Sequence, residues 1–379
     1  MPRLARTSGS RQAPSSSLDP WIEIHAANLA HNVTQVSQRA GGRPILAVVK
    51  NNAYGLGLTQ AAKLLEPLAP IHGFAVVKMQ EAITLRDAGV KKPVLLMGPV
   101  GESNLDEIVA RGISPMVYTD LGDALDRVSA KYQRAIGLHV CVDTGIGRVG
   151  VPISRATPLI AELARKSVRF DGIMMTFSED PALDAEQKKR FELLCSTLQK
   201  GGLSLGHRHA ASSFGLFEHP DAFYDMVRPG MALYGVYSER RFLLQSHMQL
   251  LPAMALRAPV AYVKQLRAGE SAGYSRAYIA KEDVWIATLP VGHADGWPRV
   301  AAKGARVRIG ANRYPVIASV SASHTIVEIG REPRVKIGDV ATLWDWQDGS
   351  RPEDVNAECG ASVYDLTMHL NPLLPRRII

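Results

Sequence analysis

The first residue of this 379-residue chain placed to do chemistry is Lys50, which ends the apolar run Ile45-Leu46-Ala47-Val48-Val49 and opens the polar stretch Asn51-Asn52-Ala53-Tyr54-Gly55. A lysine at a strand end, partly withdrawn from water, has a lowered pKa, can form a Schiff base with a carbonyl and can serve as a base. Position alone favours a lysine whose stem lies along the strand end with its ammonium in water. His207 and His209 are two apart near a weak apolar run, which puts them on one face, but one pair does not make a site. The three cysteines, Cys141, Cys195 and Cys359, are widely spaced and odd in number, so they suit neither a disulfide framework nor a zinc cluster, and no C-x-x-C or H-x-x-x-H spacing points to a metal.

The elements that must position Lys50 follow from periodicity. Between residues 44 and 228, eight short apolar runs (45–49, 73–77, 93–97, 115–118, 136–142, 170–175, 207–210 and 225–227) alternate with helix-like stretches such as 79–88, 103–111, 121–131 and 182–200. Gly89, Gly112 and Gly201 are plausible stops. Eight βα repeats in so short a span predict an α/β fold built on a TIM (β/α)8 barrel, because a doubly wound sheet would carry a Gly-rich fingerprint after its first strand and none is present. TIM-barrel sites sit at the carboxyl ends of the strands, which is where Lys50 falls. Past residue 250 the texture becomes β-rich, with runs at 254–267, 284–289, 305–309, 315–320, 325–329 and 341–344. The domains expected are thus a tail over 1–18, a barrel over 19–250 and a mostly β C-terminal domain over 251–379.

Composition bounds the rest. Hydrophobic residues are 46% and charged residues 21%, ordinary for a globular enzyme, and no apolar run of membrane-spanning length is present. The net charge of +8 arises from basic residues scattered among acids, with no basic and aromatic-interleaved patch, so it favours an anionic small molecule over nucleic acid. Residues 1–17 hold Arg3, Arg6, Arg11, several serines and no acid. They read as a disordered tail in a cytoplasmic protein, with a transit peptide the less favoured alternative.

The segment Ala47-Val48-Val49-Lys50-Asn51-Asn52-Ala53-Tyr54-Gly55-Leu56-Gly57 resembles the pyridoxal-phosphate (PLP) lysine motif of alanine racemases. Further segments agree with that family in the same order: Gly73-Phe74-Ala75-Val76 with Leu85-Arg86-Asp87-Ala88-Gly89, Val142-Asp143-Thr144-Gly145-Ile146-Gly147-Arg148, Met226-Val227-Arg228-Pro229-Gly230-Met231, and Val291-Gly292-His293-Ala294-Asp295-Gly296. The resemblance runs from about residue 21 to the end, and implies a PLP-binding barrel followed by a β domain in a head-to-tail homodimer. It implies that Lys50 carries PLP and acts as one base, and that Tyr54, Ser213 and the backbone of Gly230 and Met231 take the phosphate. Arg228, oriented by His209, would face the pyridine nitrogen. Tyr274 of the partner chain would be the second base, and Arg148 and the Ala322 backbone would meet the substrate carboxylate. Taken singly, each has a plain structural alternative: Tyr54 and Ser213 as loop residues, Arg148 and Arg228 in ion pairs, Tyr274 in packing.

Several family positions differ. Cys141 stands where many members have a lysine that steers the arginine matching Arg148, Thr176 replaces a histidine and Ser212 an asparagine. His293 replaces a tyrosine, Ala322 a methionine, and Pro372 falls where another tyrosine limits the pocket. Lost volume admits a larger side chain. The leading expectation is therefore a PLP-dependent racemase of alanine or a larger or more polar amino acid. A PLP-dependent lyase on the same scaffold and a non-catalytic PLP-binding protein are the alternatives.

Overall fold

A computed structural model describes residues 18–245 and 247–379, so the tail expected over 1–17 lies outside the described residues. Strands Ile45–Val48, Ile71–Val76, Val94–Leu96, Ser114–Val117, Ile136–Asp143, Val168–Met174 and His207–His209 lie side by side in that order, each parallel to the next. Residues 225–227 close the ring as its eighth stave. Val227 bridges Ile45 in parallel, the Leu46 amide donates to the Val227 carbonyl at 2.9 Å, and the Val48 amide donates to the Pro229 carbonyl at 2.9 Å. Pro229 has no N–H to give to a ladder, which keeps this stave short. Helices Met79–Asp87, Glu102–Ala110, Ala124–Tyr132 and Pro181–Lys200 pack outside, with Ala26–Arg39, Leu58–Leu65 and Ile153–Leu163 added beyond the sequence reading.

The alternation of β side chains sorts each strand into an outer and an inner row. Leu138, Val140 and Val142 join Leu105, Leu125, Ile160 and Phe191 in one apolar cluster outside the ring. His139 and Cys141, between them in sequence, face inward, the first toward His209 and the second into the central cavity. By the same period Leu46, Val48 and Lys50 form one inward row, so the lysine arrives in the interior because its strand puts it there.

Strands Met254–Pro259, Tyr262–Leu266, Val284–Leu289, Arg306–Ile309, Asn312–Ile317, Thr325–Gly330 and Val340–Trp344 form a mostly antiparallel sheet with Trp21–Ile24 and Arg376–Ile378. A division at residue 250 would put Trp21–Ile24 with the barrel. Its hydrogen bonds instead tie it to the C-terminal sheet, antiparallel to Met254–Arg257 and parallel to Arg376–Ile378. Ile22 and Ile24 are fully buried there, and Glu23 meets Arg257 at 2.9 Å, whose guanidinium also reaches the buried Asp345 at 3.2 Å.

Two helices unforeseen in the sequence, Pro352–Cys359 and Val363–Met368, turn the C-terminal domain back onto the barrel. Glu353 Oε1 accepts from the Tyr237 amide at 2.7 Å, and Arg376 donates to the carbonyls of Gly55 at 2.9 Å and Leu56 at 3.0 Å. The last residues of the chain thereby brace the loop that follows Lys50.

Candidate active site

A cavity of about 510 Å³ opens at the carboxyl ends of the barrel strands, with Lys50, Tyr54, Arg148, Ser213, Arg228, Gly230 and Met231 in its wall. Immediately after Lys50 the chain makes a left-handed turn in which Asn51, Asn52, Ala53 and Tyr54 all have φ between 54° and 56°. Such a conformation costs about 1–2 kcal/mol per residue, less for asparagine, and survives only where the surroundings hold it. The Glu81 carboxylate accepts from the Asn52 amide at 3.2 Å, Asn52 Oδ1 accepts from the Leu58 amide at 2.9 Å, and Gly55 packs so close to Thr367 that a Cβ would lie 2.0 Å from its carbonyl oxygen. The turn swings Tyr54 back over the cavity beside Lys50. Half-burial and the Arg148 and Arg228 charges hold the Lys50 amine below the ordinary lysine pKa, with Glu81 opposing them.

Arg228 is buried and gripped on three sides. Nη1 donates to His209 Nδ1 at 2.9 Å, while Nη2 donates to the Met175 carbonyl at 3.0 Å and to Thr176 Oγ1 at 3.2 Å. Burial brings its pKa down to about 10, so the guanidinium remains charged at neutral pH. Thr176, which replaces a histidine of the family pattern, therefore serves as an acceptor for this arginine.

On the opposite wall, Ser213 Oγ accepts from the amides of Gly230 at 3.0 Å and Ala232 at 3.1 Å. Two expected anion donors, Ser213 and the Gly230 amide, are thus bonded to each other, and the hydroxyl hydrogen of Ser213 is left to point elsewhere. Gly230 has no room for a side chain, since a Cβ would lie 2.2 Å from Tyr54 Oη. Met231 opens the 3-10 turn Met231–Tyr234, where the first amides have no partner within the turn. Tyr54 Oη, the Ser213 hydroxyl and this turn form a cradle of donors of the kind a phosphate dianion needs.

Cys141 and Arg148 share the substrate side. The thiol is buried, its pKa pushed up to about 11, and it donates weakly to the Val149 carbonyl at 3.7 Å. It offers Arg148 no charge to lean on, and the exposed guanidinium makes no hydrogen bond or ion pair among the described residues.

Tyr274, Ala322 and His293 lie outside this chain's cavity lining. Tyr274 is 76% exposed on the short turn Tyr274–Arg276 of the C-terminal domain. Ala322 is exposed too, and its carbonyl accepts from the Ala294 amide at 3.0 Å, next to His293. Pro372 needs correction as a pocket residue of its own chain. It is exposed and uses its carbonyl to accept from Arg376, and the tyrosine that reaches the cavity from this part of the chain is Tyr364, on the helix Val363–Met368. The sequence reading missed Tyr364, whose motif-poor surroundings gave no sign of a helix folding back. It also missed Glu179, an acid at the cavity rim with φ 68°, whose amide donates to the buried Asp184 at 3.1 Å.

Known proteins match both domains of this chain. Residues 24–238 match the family model for the alanine racemase N-terminal domain and residues 253–378 that for the alanine racemase C-terminal domain. An alanine racemase from Clostridium kluyveri is 30% identical over 95% of this chain and 94% of its own length, and one from Treponema pallidum is 34% identical over 87% and 90%. The crystal structure of alanine racemase from the D-cycloserine-producing Streptomyces lavendulae superposes with a TM-score of 0.90 at 25% identity, covering 96% of this chain and 98% of that one. With two family models that between them span both domains, and a relative 30% identical along nearly the whole length, the chain belongs to the alanine racemase family.

Proposed function

We propose that this protein is a PLP-dependent amino-acid racemase working as a homodimer, with alanine or a larger or more polar amino acid as substrate. The observation that carries this reading is the pairing of Lys50, its pKa lowered inside the cavity, with a buried and fully gripped Arg228. The residues present fit PLP: the missing Cβ of Gly230 leaves Tyr54 Oη room in a cradle of donors, and Lys50 shares the same cavity. When bound, PLP supplies an electron-withdrawing ring that acidifies the substrate α-proton. Lys50 would anchor it, and Tyr54, Ser213 and Met231 would hold its phosphate.

The protein's own part is to place charge and bases. Arg228 presents a guanidinium, a permanent cation at neutral pH that does not give up its proton, so the electron sink it faces is weaker than one paired with a carboxylic acid. Reprotonation at the α-carbon is then favoured over side reactions. Inversion needs a base on each face of that carbon, and Lys50 supplies one. Tyr274 is the candidate for the other. Its 76% exposure in a single chain suits a residue that completes a partner's site, alongside Ala322. Arg148 would meet the substrate carboxylate, unsteered by any charge from Cys141.

The test is proton NMR in deuterium oxide on PLP-loaded protein with L-alanine, L-serine and a few larger L-amino acids, with chiral analysis of the same samples. Loss of the α-proton signal with appearance of the D enantiomer is expected. Retention of the α-proton in every substrate would sink the racemase reading, and new aldehyde, keto-acid or amine signals would replace it with lyase chemistry.

A further inference from the structure

The inward row of the strand Ile136–Asp143 brings His139 to the barrel axis, where its Nδ1 lies 3.0 Å from Nε2 of His209 on the strand His207–His209. Both imidazoles are buried, and burial drives the pKa of each below the ordinary histidine value, His139 to about 4, so both are neutral. A neutral imidazole has one N–H and one lone pair, and a guanidinium can only donate. Arg228 Nη1 therefore obliges His209 Nδ1 to accept, which puts the His209 proton on Nε2 and directs it at His139 Nδ1. His139 must accept in turn and carry its own proton on Nε2. The polarity of the whole chain follows from Arg228.

His139 also lines a second cavity, of about 330 Å³, at the amino ends of the strands, the barrel mouth opposite Lys50. His72, His207, Asp171 and Arg169 share its wall, with Lys92 beside His72. Asp171 favours a charged His139, while His207 and His72, and Arg228 from the other side, oppose it.

Resting on the PLP reading above, we propose that His139 is a positioning residue for Arg228. It completes a one-way relay of hydrogen bonds, Arg228 to His209 to His139, that locks the His209 tautomer and with it the direction of the guanidinium, and the relay ends at the far mouth of the barrel. Without an acceptor opposite His209 Nε2, its N–H is orphaned in a buried site, and the other His209 tautomer would set N–H against N–H at Arg228. The guanidinium would then lose its fixed aim, although His139 never touches the Lys50 cavity.

Two measurements test this, and neither needs turnover, so failure of the racemase reading leaves them interpretable. Nitrogen-15 NMR of histidine-labelled apoprotein should show His139 and His209 neutral and both protonated at Nε2 at neutral pH. A proton on Nδ1 of either ring overturns the relay. The second measurement compares PLP affinity and the absorption spectrum of the bound cofactor in His139→Asn, which keeps an acceptor near the Nδ1 position, and in His139→Leu, which removes it. Loss of one buried charge-linked hydrogen bond predicts at least about tenfold weaker PLP binding and a shifted absorption band for His139→Leu, with His139→Asn restoring most of both. Equal affinity and spectrum in a folded His139→Leu protein overturns the proposal. If that variant does not fold, the tautomers of the unaltered protein decide.

Discussion

Replacing Gly230 by alanine should uncouple PLP binding from folding. The new Cβ would lie 2.2 Å from Tyr54 Oη and 2.7 Å from its Cζ, where ordinary carbon contacts begin near 3.5 Å, so something must move by roughly 1 Å. The tyrosine ring has little freedom. It is 6% exposed and lies 5.1 Å from the ring of Tyr234, whose hydroxyl donates to the Val48 carbonyl at 3.0 Å. Overpacking of this kind costs about 1–3 kcal/mol, which for a chain of this size is a drop of only a few degrees in the apoprotein Tm. The effect on the cofactor should be larger. Displacing Tyr54 Oη removes a donor to a charged phosphate, a loss of about 1.5–3 kcal/mol, or roughly 10- to 100-fold in PLP affinity. Fluorescence titration of apoprotein with PLP, beside calorimetry of the same samples, reads both. Gly101→Ala, at an extended residue with nothing within 4 Å, serves as the neutral control. A Gly230→Ala protein that binds PLP within twofold of the parent would refute the idea that Gly230 and Tyr54 together shape the cradle.

Three other outcomes follow from the same geometry. If Tyr274 works in the partner's site, Lys50→Ala and Tyr274→Phe proteins should each be nearly inactive, and mixing them through dissociation and reassociation should restore activity, because one site of each hybrid dimer is intact; no recovery would place Tyr274 outside the partner's site. Because Lys50 has a lowered pKa, its neutral amine should capture PLP at a lower pH than an exposed lysine needs, and Arg148→Met should move the pH profile of capture upward; a profile that Arg148→Met leaves in place counts against that coupling. The sign for stability is the same: with the folded pKa below the unfolded one, the cost of burying the charged amine is full in acid and relieved as pH rises from the folded toward the unfolded pKa. Finally, Glu179→Gln should lower kcat/KM at least about tenfold for a substrate with a cationic side chain while leaving L-alanine within about twofold, since the rim carboxylate has no side-chain hydrogen-bond partner among the described residues; equal losses for both would remove Glu179 from substrate choice.

Much of the barrel was legible because period-2 runs and their helical spacers are local patterns. The runs at 45–49, 136–142 and 207–210 each match a strand of the ring to within one residue, and Lys50 could be placed at a strand end from five apolar neighbours. The left-handed turn over 51–54 was not legible, since asparagine and alanine do not announce φ near 55°. Glu81, Thr367 and Arg376 hold it, and they are brought there by other elements. Pro372 was misplaced for a related reason: only the fold shows that the helix Val363–Met368 turns Tyr364, and not Pro372, toward the cavity.

By itself the sequence determined the barrel, the β-rich second domain and the family, because these rest on alternation and on short contiguous motifs. Tertiary structure alone decided that Trp21–Ile24 belongs to the distant sheet, that Thr176 and Met175 grip Arg228, and that His139 stands behind His209. Each of those joins residues far apart in the chain through a hydrogen bond whose partner is chosen by strand register and ring closure. Periodicity can say which face a side chain takes, but which group it meets there depends on how the strands are staggered around the ring.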